Sequence, residues 1–122
     1  MTTASMTIPD SRATNSNSAE KQLLLFTNGF MLFGLPSNQV LEILYPHSVT
    51  PIPFVSPAID GLINVDGRIA VQVNLGTLSE FPSTNNRTEL LLIDTGRALC
   101  ALKVDSVLSR TAISQSDFNN AL

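Results

Sequence analysis

Residues 61–75 read GLINVDGRIAVQVNL, two apolar segments that flank an Asp-Gly pair. Asp66-Gly67 supplies the positive φ angles that a tight turn between antiparallel strands requires. The stretch therefore predicts a β-hairpin with Asp66-Gly67 at its tip and Arg68 directly after it. Such a tip can be a catalytic acid, a surface that another protein contacts, or only a turn, and the rest of the chain has to distinguish these roles.

The same hairpin signal occurs twice more. Asn28-Gly29 lies inside LLLFTNGFMLFGL, and Thr95-Gly96 lies inside LLLIDTGRALCAL. Alternation after the second turn places Ile69, Val71 and Val73 on one face of a strand, which we expect to face the core. The other core residues predicted from these segments are Leu23, Leu25, Phe26, Phe30, Leu32, Phe33, Leu91, Ile93, Leu102 and Val104.

The segments between the hairpins carry weaker signals. SNQVLEIL, residues 37–44, is compatible with a short helix, and Pro57 to Gly61 with a single helical turn ended by glycine. Residues 79–89 are polar and predict an exposed loop. Since no stretch shows sustained helical periodicity, the sequence predicts an all-β domain, either a sandwich or a small barrel.

Composition restricts the class of protein. The chain has 122 residues and a net charge of −3, and its seven Lys and Arg residues are scattered singly. A nucleic-acid or anionic-membrane surface needs a basic stripe, so neither partner is expected. Residues 1–20 are polar and predict a disordered tail, followed by one folded domain over residues 21–122.

Two further features indicate the cellular setting. No apolar stretch approaches the roughly 18 residues that a membrane span needs, so direct membrane insertion is not expected. The single cysteine, Cys100, lies in an apolar strand-like segment and predicts a buried, inert thiol. Together these features predict a cytoplasmic protein.

Catalytic patterns are weak. One histidine, His47, and one distant cysteine do not make a metal site, and no phosphate-binding glycine loop is present, so no cofactor, metal or catalytic residue is predicted. Asp94-Thr95-Gly96 resembles the active-site triplet of aspartic proteases, where two carboxylates share a proton. Arg97 would disturb such a pair, and a hairpin turn explains the triplet equally well. A small homodimeric protease using Asp94 remains a remote alternative.

A series of short motifs follows in a recognisable order. They are Val40, Glu42 and Ile43; Thr50–Pro53; Gly61–Asn64; Asn74-Leu75; and Leu102–Val107. In this order the chain, from Leu23 to about Ser114, resembles the CheW-like domain, the coupling module of bacterial chemotaxis signalling.

The resemblance implies a pair of small SH3-like five-stranded β-barrels without an active site. It implies a scaffold that binds the regulatory domain of a CheA-like histidine kinase on one surface and the tip of a chemoreceptor in an apolar groove between the barrels. The partner-binding residues carried over by the resemblance, or adjacent to those positions, are Val40, Glu42, Ile43, Val65, Asp66 and Arg68.

The chain departs from this family in two places. Asp66 stands where the family usually has arginine, and Arg68, on the other side of Gly67, is not expected to replace that arginine. The family also continues past the position of Ile113 with strands that complete the first barrel, so we expect an incomplete barrel. Such a chain pairs with itself or with another chain, adopts a smaller closed form, or is a fragment of a longer gene product, and self-association is the outcome that we predict. A diverged module that serves pilus motility or binds itself, without receptor coupling, is the alternative function.

Overall fold

The computed structural model of the chain describes residues 20–84 and 86–114, and these form eight β-strands and one short α-helix. The elements are β1 (Glu20–Asn28), β2 (Met31–Pro36), β3 (Val40–Leu44), β4 (Ile59–Val65), β5 (Arg68–Asn74), α1 (Leu75–Ser79), β6 (Glu89–Asp94), β7 (Leu99–Val104) and β8 (Ser106–Ser114). The predicted all-β fold class is confirmed. Except for Glu20, the expected disordered tail over residues 1–20 lies outside the described residues.

All three predicted hairpins are present. They join β1 to β2, β4 to β5 and β6 to β7, each in antiparallel pairing. The turn glycines have positive φ angles of 62° at Gly29, 88° at Gly67 and 90° at Gly96. Asp66 has a φ of 53°, so the second hairpin has the two left-handed residues of a type I′ turn.

The strands form two sheets. The three-stranded sheet has the order β2-β1-β8, and the five-stranded sheet has the order β3-β6-β7-β5-β4. Within the larger sheet β5 and β7 are parallel, while its other pairs are antiparallel. The hairpin signals do not predict this parallel pairing, because each of them relates only two consecutive strands.

The five-stranded sheet curls so that its two edge strands approach each other. Thr50, which follows β3 in the chain, exchanges two backbone hydrogen bonds of 2.8 Å with Leu62 of β4. The strand ladder itself does not close into a barrel within the described residues. The Thr50–Leu62 bridge therefore joins the two sides of a nearly cylindrical sheet.

Two hydrophobic cores result from this arrangement. The inner core fills the curled sheet and contains Leu44, Ile63, Val65, Ala70, Leu90, Leu92 and Ala101. The outer core lies between the two sheets and contains Leu24, Phe26, Val40, Leu75, Leu91 and Val104. Strand β6 contributes to both cores, because alternate residues of a strand point to opposite faces. Its uninterrupted apolar sequence is typical of a strand buried on both sides.

The predicted orientation of β5 was wrong. Ala70 and Gln72 are buried, whereas Ile69 is exposed and Val71 and Val73 are only partly buried. In the hairpin Ala70 pairs with Ile63 of β4, which already fills the inner core. Gln72 lies on the same face as Ala70, and its Nε2 donates a hydrogen bond of 2.8 Å to Asp60 Oδ2, so this buried polar side chain has a partner.

Two other core predictions on the first hairpin were also wrong. Phe30 lies in the turn and is 95% exposed, and Leu32 is exposed on the side of β2 that faces away from the outer core. Phe33, its neighbour in the chain, packs against that core and stacks on Phe26, with ring centroids 5.8 Å apart. Of the remaining predicted core residues, Phe26, Leu91 and Val104 are buried, and the others are partly buried.

The helical predictions also needed correction. Residues 37–44 form a three-residue 3₁₀ turn, Ser37–Gln39, followed by β3, and the residues after Pro57 enter β4 already at Ile59. Helix α1 was not predicted. It begins after Asn74, whose side chain accepts a hydrogen bond of 3.1 Å from the Thr77 N–H and so caps the helix.

Candidate functional site

Strand β3 is an edge strand of the five-stranded sheet as far as the structure describes it. Val40 and Leu44 are buried, while Leu41, Glu42 and Ile43 are exposed. A register shift between Val40 and Glu42 interrupts the pairing with β6. Such an irregularity changes the direction of the neighbouring side chains, and here apolar residues on both sides of Glu42 reach solvent.

The tip of the β4–β5 hairpin is the second part of the candidate surface. Asp66 and Gly67 are exposed, and the Gly67 N–H donates a hydrogen bond of 2.7 Å to Asn64 Oδ1. Among the described residues, no hydrogen bond or ion pair involves the Asp66 carboxylate. Val65, directly before the turn, is buried in the inner core. The tip therefore presents an unpaired negative charge on a firmly packed base.

An ion pair brings the two parts together. Arg68 Nη2 lies 4.0 Å from Glu42 Oε1, and each side chain is 49% exposed. Although β3 and β5 are not neighbours in the sheet, its curl places the start of β5 beside β3. We call the surface formed by Leu41, Glu42, Ile43, Asp66 and Arg68 the β3–tip surface.

Of the six residues predicted to bind partners, four are exposed and two are buried. Glu42, Ile43, Asp66 and Arg68 belong to the β3–tip surface, whereas Val40 and Val65 are buried. The two valines support the surface from below, so their side chains are not accessible to a partner in this conformation. Arg68 begins β5 directly after the turn and places a cation against Glu42.

Sequence reasoning missed one apolar residue of this surface and another directly beside it. Leu41 is exposed on β3, and Tyr45, directly after the strand, is 84% exposed. The pattern Leu41-x-Ile43-x-Tyr45 has the period of two that places side chains on one face of a strand, and this signal could have identified them. Exposed apolar side chains in such a row are typical of a contact with another protein.

The residues considered for catalysis occupy ordinary structural positions. Asp94 is exposed, and its Oδ1 accepts a hydrogen bond of 2.8 Å from the Gly96 N–H, so the Asp94-Thr95-Gly96 triplet forms a turn. His47 is partly buried, and its Nδ1 lies 2.8 Å from the Tyr45 carbonyl oxygen. Within residues 20–84 and 86–114 the structure groups no three His, Cys, Asp or Glu side chains as metal ligands.

Two further observations concern Cys100 and the membrane. Cys100 is a free cysteine on β7 and is partly buried, and this burial raises the pKa of its thiol. In the part of the chain that the structure describes, no helix has the length and apolar character needed to cross a membrane.

Comparison with known proteins finds one matching family and a solved structure with a similar fold. The family model of the CheW-like domain matches residues 22–122. The fold is similar to the crystal structure of the scaffolding protein TtCheW from Thermoanaerobacter tengcongensis, with a TM-score of 0.73 and 24% sequence identity. The similarity covers 80% of this chain and 68% of that one. Among curated proteins, none matches the sequence.

Proposed function

Because this chain belongs to the CheW-like domain family, a family of non-enzymatic scaffolds in chemotaxis-type signalling, we propose that it couples a chemoreceptor to a CheA-like histidine kinase. In this proposal it acts in the cytoplasm, uses no cofactor and has no catalytic residue. The observation that carries the proposal is the β3–tip surface, where exposed apolar side chains lie beside the Glu42–Arg68 ion pair.

The composition of this surface supports a role in protein binding. Leu41 and Ile43 are exposed apolar residues on either side of Glu42 in the edge strand, and Glu42 pairs with Arg68 beside the charged Asp66 turn. Apolar contacts with a surrounding polar rim are the usual anatomy of a protein interface. Because Val40 and Val65 fix the underlying strands, the surface loses little conformational entropy when it binds.

The two partners take different positions in this proposal. The regulatory domain of the kinase binds the β3–tip surface, and the chemoreceptor tip binds the apolar groove that the resemblance to the family implies. Family membership supports this division of partners, and the accessibility of Glu42, Ile43, Asp66 and Arg68 agrees with it.

Calorimetric titration with the regulatory domain of a CheA-like kinase tests the proposal. The wild-type chain is expected to bind, and Ile43→Lys is expected to weaken binding by about tenfold or more, since it places a charge in the contact. Ile69→Lys is the matched control, because Ile69 is also an exposed isoleucine on a strand of the same sheet but lies outside the β3–tip surface. Absence of binding by the wild-type chain would contradict kinase coupling.

A second candidate function is a diverged module that serves pilus motility or self-association without receptor coupling. The observation that favours it is the unpaired Asp66 carboxylate at the position where the family has arginine. Reversal of one charge in a contact can replace attraction by repulsion and change the choice of partner. A chain that fails to bind the kinase domain but retains a stable fold would support this second candidate.

A further inference from the structure

Phe54 is the outermost side chain of the loop between β3 and β4, with a relative exposure of 103%. Its backbone φ angle is 60°, in the left-handed region. Pro53 and Phe54 form a turn in which the residue after the proline has a positive φ, the arrangement of a type II turn. That position is usually occupied by glycine or asparagine, because a β-carbon clashes there with the neighbouring backbone.

Phe54 is unusual among the described residues with left-handed backbones. The other two that are not glycine are Asp66 and Glu80. Aspartate tolerates this conformation in turns, and Glu80 directly follows α1, where a left-handed residue commonly ends a helix. No comparable reason applies to a bulky aromatic residue. Both its exposed ring and its strained backbone are therefore unfavourable for the fold of the isolated chain.

The loop holds this ring in a defined place. Pro51, Pro53 and Pro57 restrict the backbone on both sides of it. One end of the loop is fixed by the Thr50–Leu62 bridge, and the other by a hydrogen bond of 2.7 Å from the Asn74 N–H to the Ala58 carbonyl. An aromatic side chain presented by a restrained loop loses little entropy when it binds, which is the property of an interface anchor.

The surroundings of Phe54 indicate what kind of pocket it fits. Residues 43–59 contain no Asp, Glu, Lys or Arg, so the loop carries no formal charge besides any on His47. We propose that Phe54 is an anchor residue that inserts into an apolar, uncharged pocket on the regulatory domain of the kinase. This inference rests on the proposed scaffold function, and it adds a contact outside the β3–tip surface.

The shape of Phe54 favours the kinase domain over the chemoreceptor as its partner. A protruding ring needs a concave acceptor, and globular domains present pockets of this kind. In the proposed function the chemoreceptor tip enters a groove on the scaffold, whereas a projecting side chain such as Phe54 suits a partner that itself supplies the pocket.

The test compares Phe54→Asn with Phe54→Trp and Phe30→Asn by calorimetric titration with the kinase regulatory domain. Asparagine tolerates the left-handed backbone, so Phe54→Asn should keep or raise the thermal unfolding midpoint while it lowers affinity by about tenfold or more. Phe54→Trp retains an aromatic ring and should retain most of the affinity. Phe30→Asn is the matched control, because Phe30 is 95% exposed on a different turn, and its affinity should equal that of the wild-type chain.

The outcomes separate this inference from the proposed function. If the wild-type chain does not bind the kinase domain, the proposed function fails. If it binds and Phe54→Asn binds equally well, or if Phe30→Asn loses as much affinity, the anchor role is overturned while kinase coupling stands. A lower unfolding midpoint for Phe54→Asn would show that the ring supports the fold instead. Loss of affinity for a receptor-tip fragment, with kinase binding intact, would overturn the choice of partner.

Discussion

At Gly61 the backbone of β4 lies so close to Thr50 that a side chain has no space. A β-carbon placed on Gly61 would approach the Thr50 carbonyl oxygen to 2.2 Å, and the φ angle of Gly61 is 146°. Gly61→Ala is therefore expected to break the Thr50–Leu62 bridge and to destabilise the fold by about 3 kcal/mol. The free energy of unfolding in urea measures this effect.

Gly67→Ala is the matched control for that measurement. Gly67 also has a positive φ, 88°, but no atom lies within 4 Å of its would-be β-carbon. Gly67→Ala should therefore lower the free energy of unfolding only by the backbone strain, about 1 kcal/mol. Equal losses of stability at the two glycines would show that the close approach of Thr50 is not what requires glycine at position 61.

Asp66 stands, by the resemblance to the CheW-like domain, where the family usually has arginine. Asp66→Arg restores the cation usual in the family and is expected to raise affinity for a typical kinase regulatory domain by about tenfold, because it replaces repulsion by attraction. Arginine also fits the left-handed backbone at this position less well, so stability should fall slightly. Calorimetric titration and urea unfolding separate the two effects.

The control for this prediction is Asp66→Asn, which removes the charge and tolerates the turn conformation. Its affinity should lie between those of the wild-type chain and Asp66→Arg. If all three affinities are equal, the tip is not part of the contact with that partner.

Cys100 gives the chain a pH-dependent contribution to stability. Burial raises the pKa of its thiol above the ordinary value of 9.0, so the folded state disfavours the thiolate. The protonated thiol's contribution to the free energy of unfolding is fully present below the pKa of Cys100 in the unfolded chain. It is lost as the pH rises through the raised pKa of the folded state. Between pH 7 and about 10 the wild-type chain should therefore lose more unfolding free energy than Cys100→Ser. Equal losses in the two chains would contradict this role of Cys100.

At the scale of elements, the hairpins were predictable because a turn depends on a few adjacent residues. Positive φ angles at Gly29, Gly67 and Gly96 follow from local chemistry, and the structure has all three turns. The inward face of β5 was not predictable from its own sequence. It depends on the neighbouring strand β4, where Ile63 lies opposite Ala70 and where Asp60 accepts a hydrogen bond from the buried Gln72.

The candidate site, too, was predictable only where its residues depend on local turn chemistry. Asp66 and Arg68 were correctly placed at an exposed tip, because the turn determines their position. Their approach to Glu42 depends on the curvature of a five-stranded sheet, which no local pattern contains. Hence the residues could be named from the sequence, but the surface that they form together could not.

The Glu42–Arg68 ion pair links β3 to the β4–β5 hairpin. At 4.0 Å and with both side chains half exposed, it should contribute only about 0.5 kcal/mol to stability. A double-mutant cycle with Glu42→Gln and Arg68→Gln measures this coupling by urea unfolding, and the coupling should diminish as salt is raised. A coupling that does not respond to salt would mean that the two side chains interact mainly by packing.

At the scale of the whole molecule, the three-stranded sheet has an open outer side among the described residues. Leu32 on β2 and Leu108 on β8 are exposed, and β2 and β8 are the edge strands. Edge strands with exposed apolar residues favour pairing with another chain. The purified protein is therefore expected to self-associate, and light scattering should give a mass above the 13.1 kDa of one chain. A monomeric mass together with a single cooperative unfolding transition would contradict this prediction.

The pairing of β1 with β8 has a consequence for the order in which the protein folds. Their register joins Leu25 to Ser109, so the ladder closes a loop that contains the whole five-stranded sheet. During synthesis the β1–β2 hairpin can form early, whereas the β1–β8 ladder has to wait until β8 has left the ribosome. Since closing a long loop is slow compared with forming a hairpin, the β1–β8 pairing is expected to be the last to form. Until then the second edge of β1 has no strand partner and can pair with another chain.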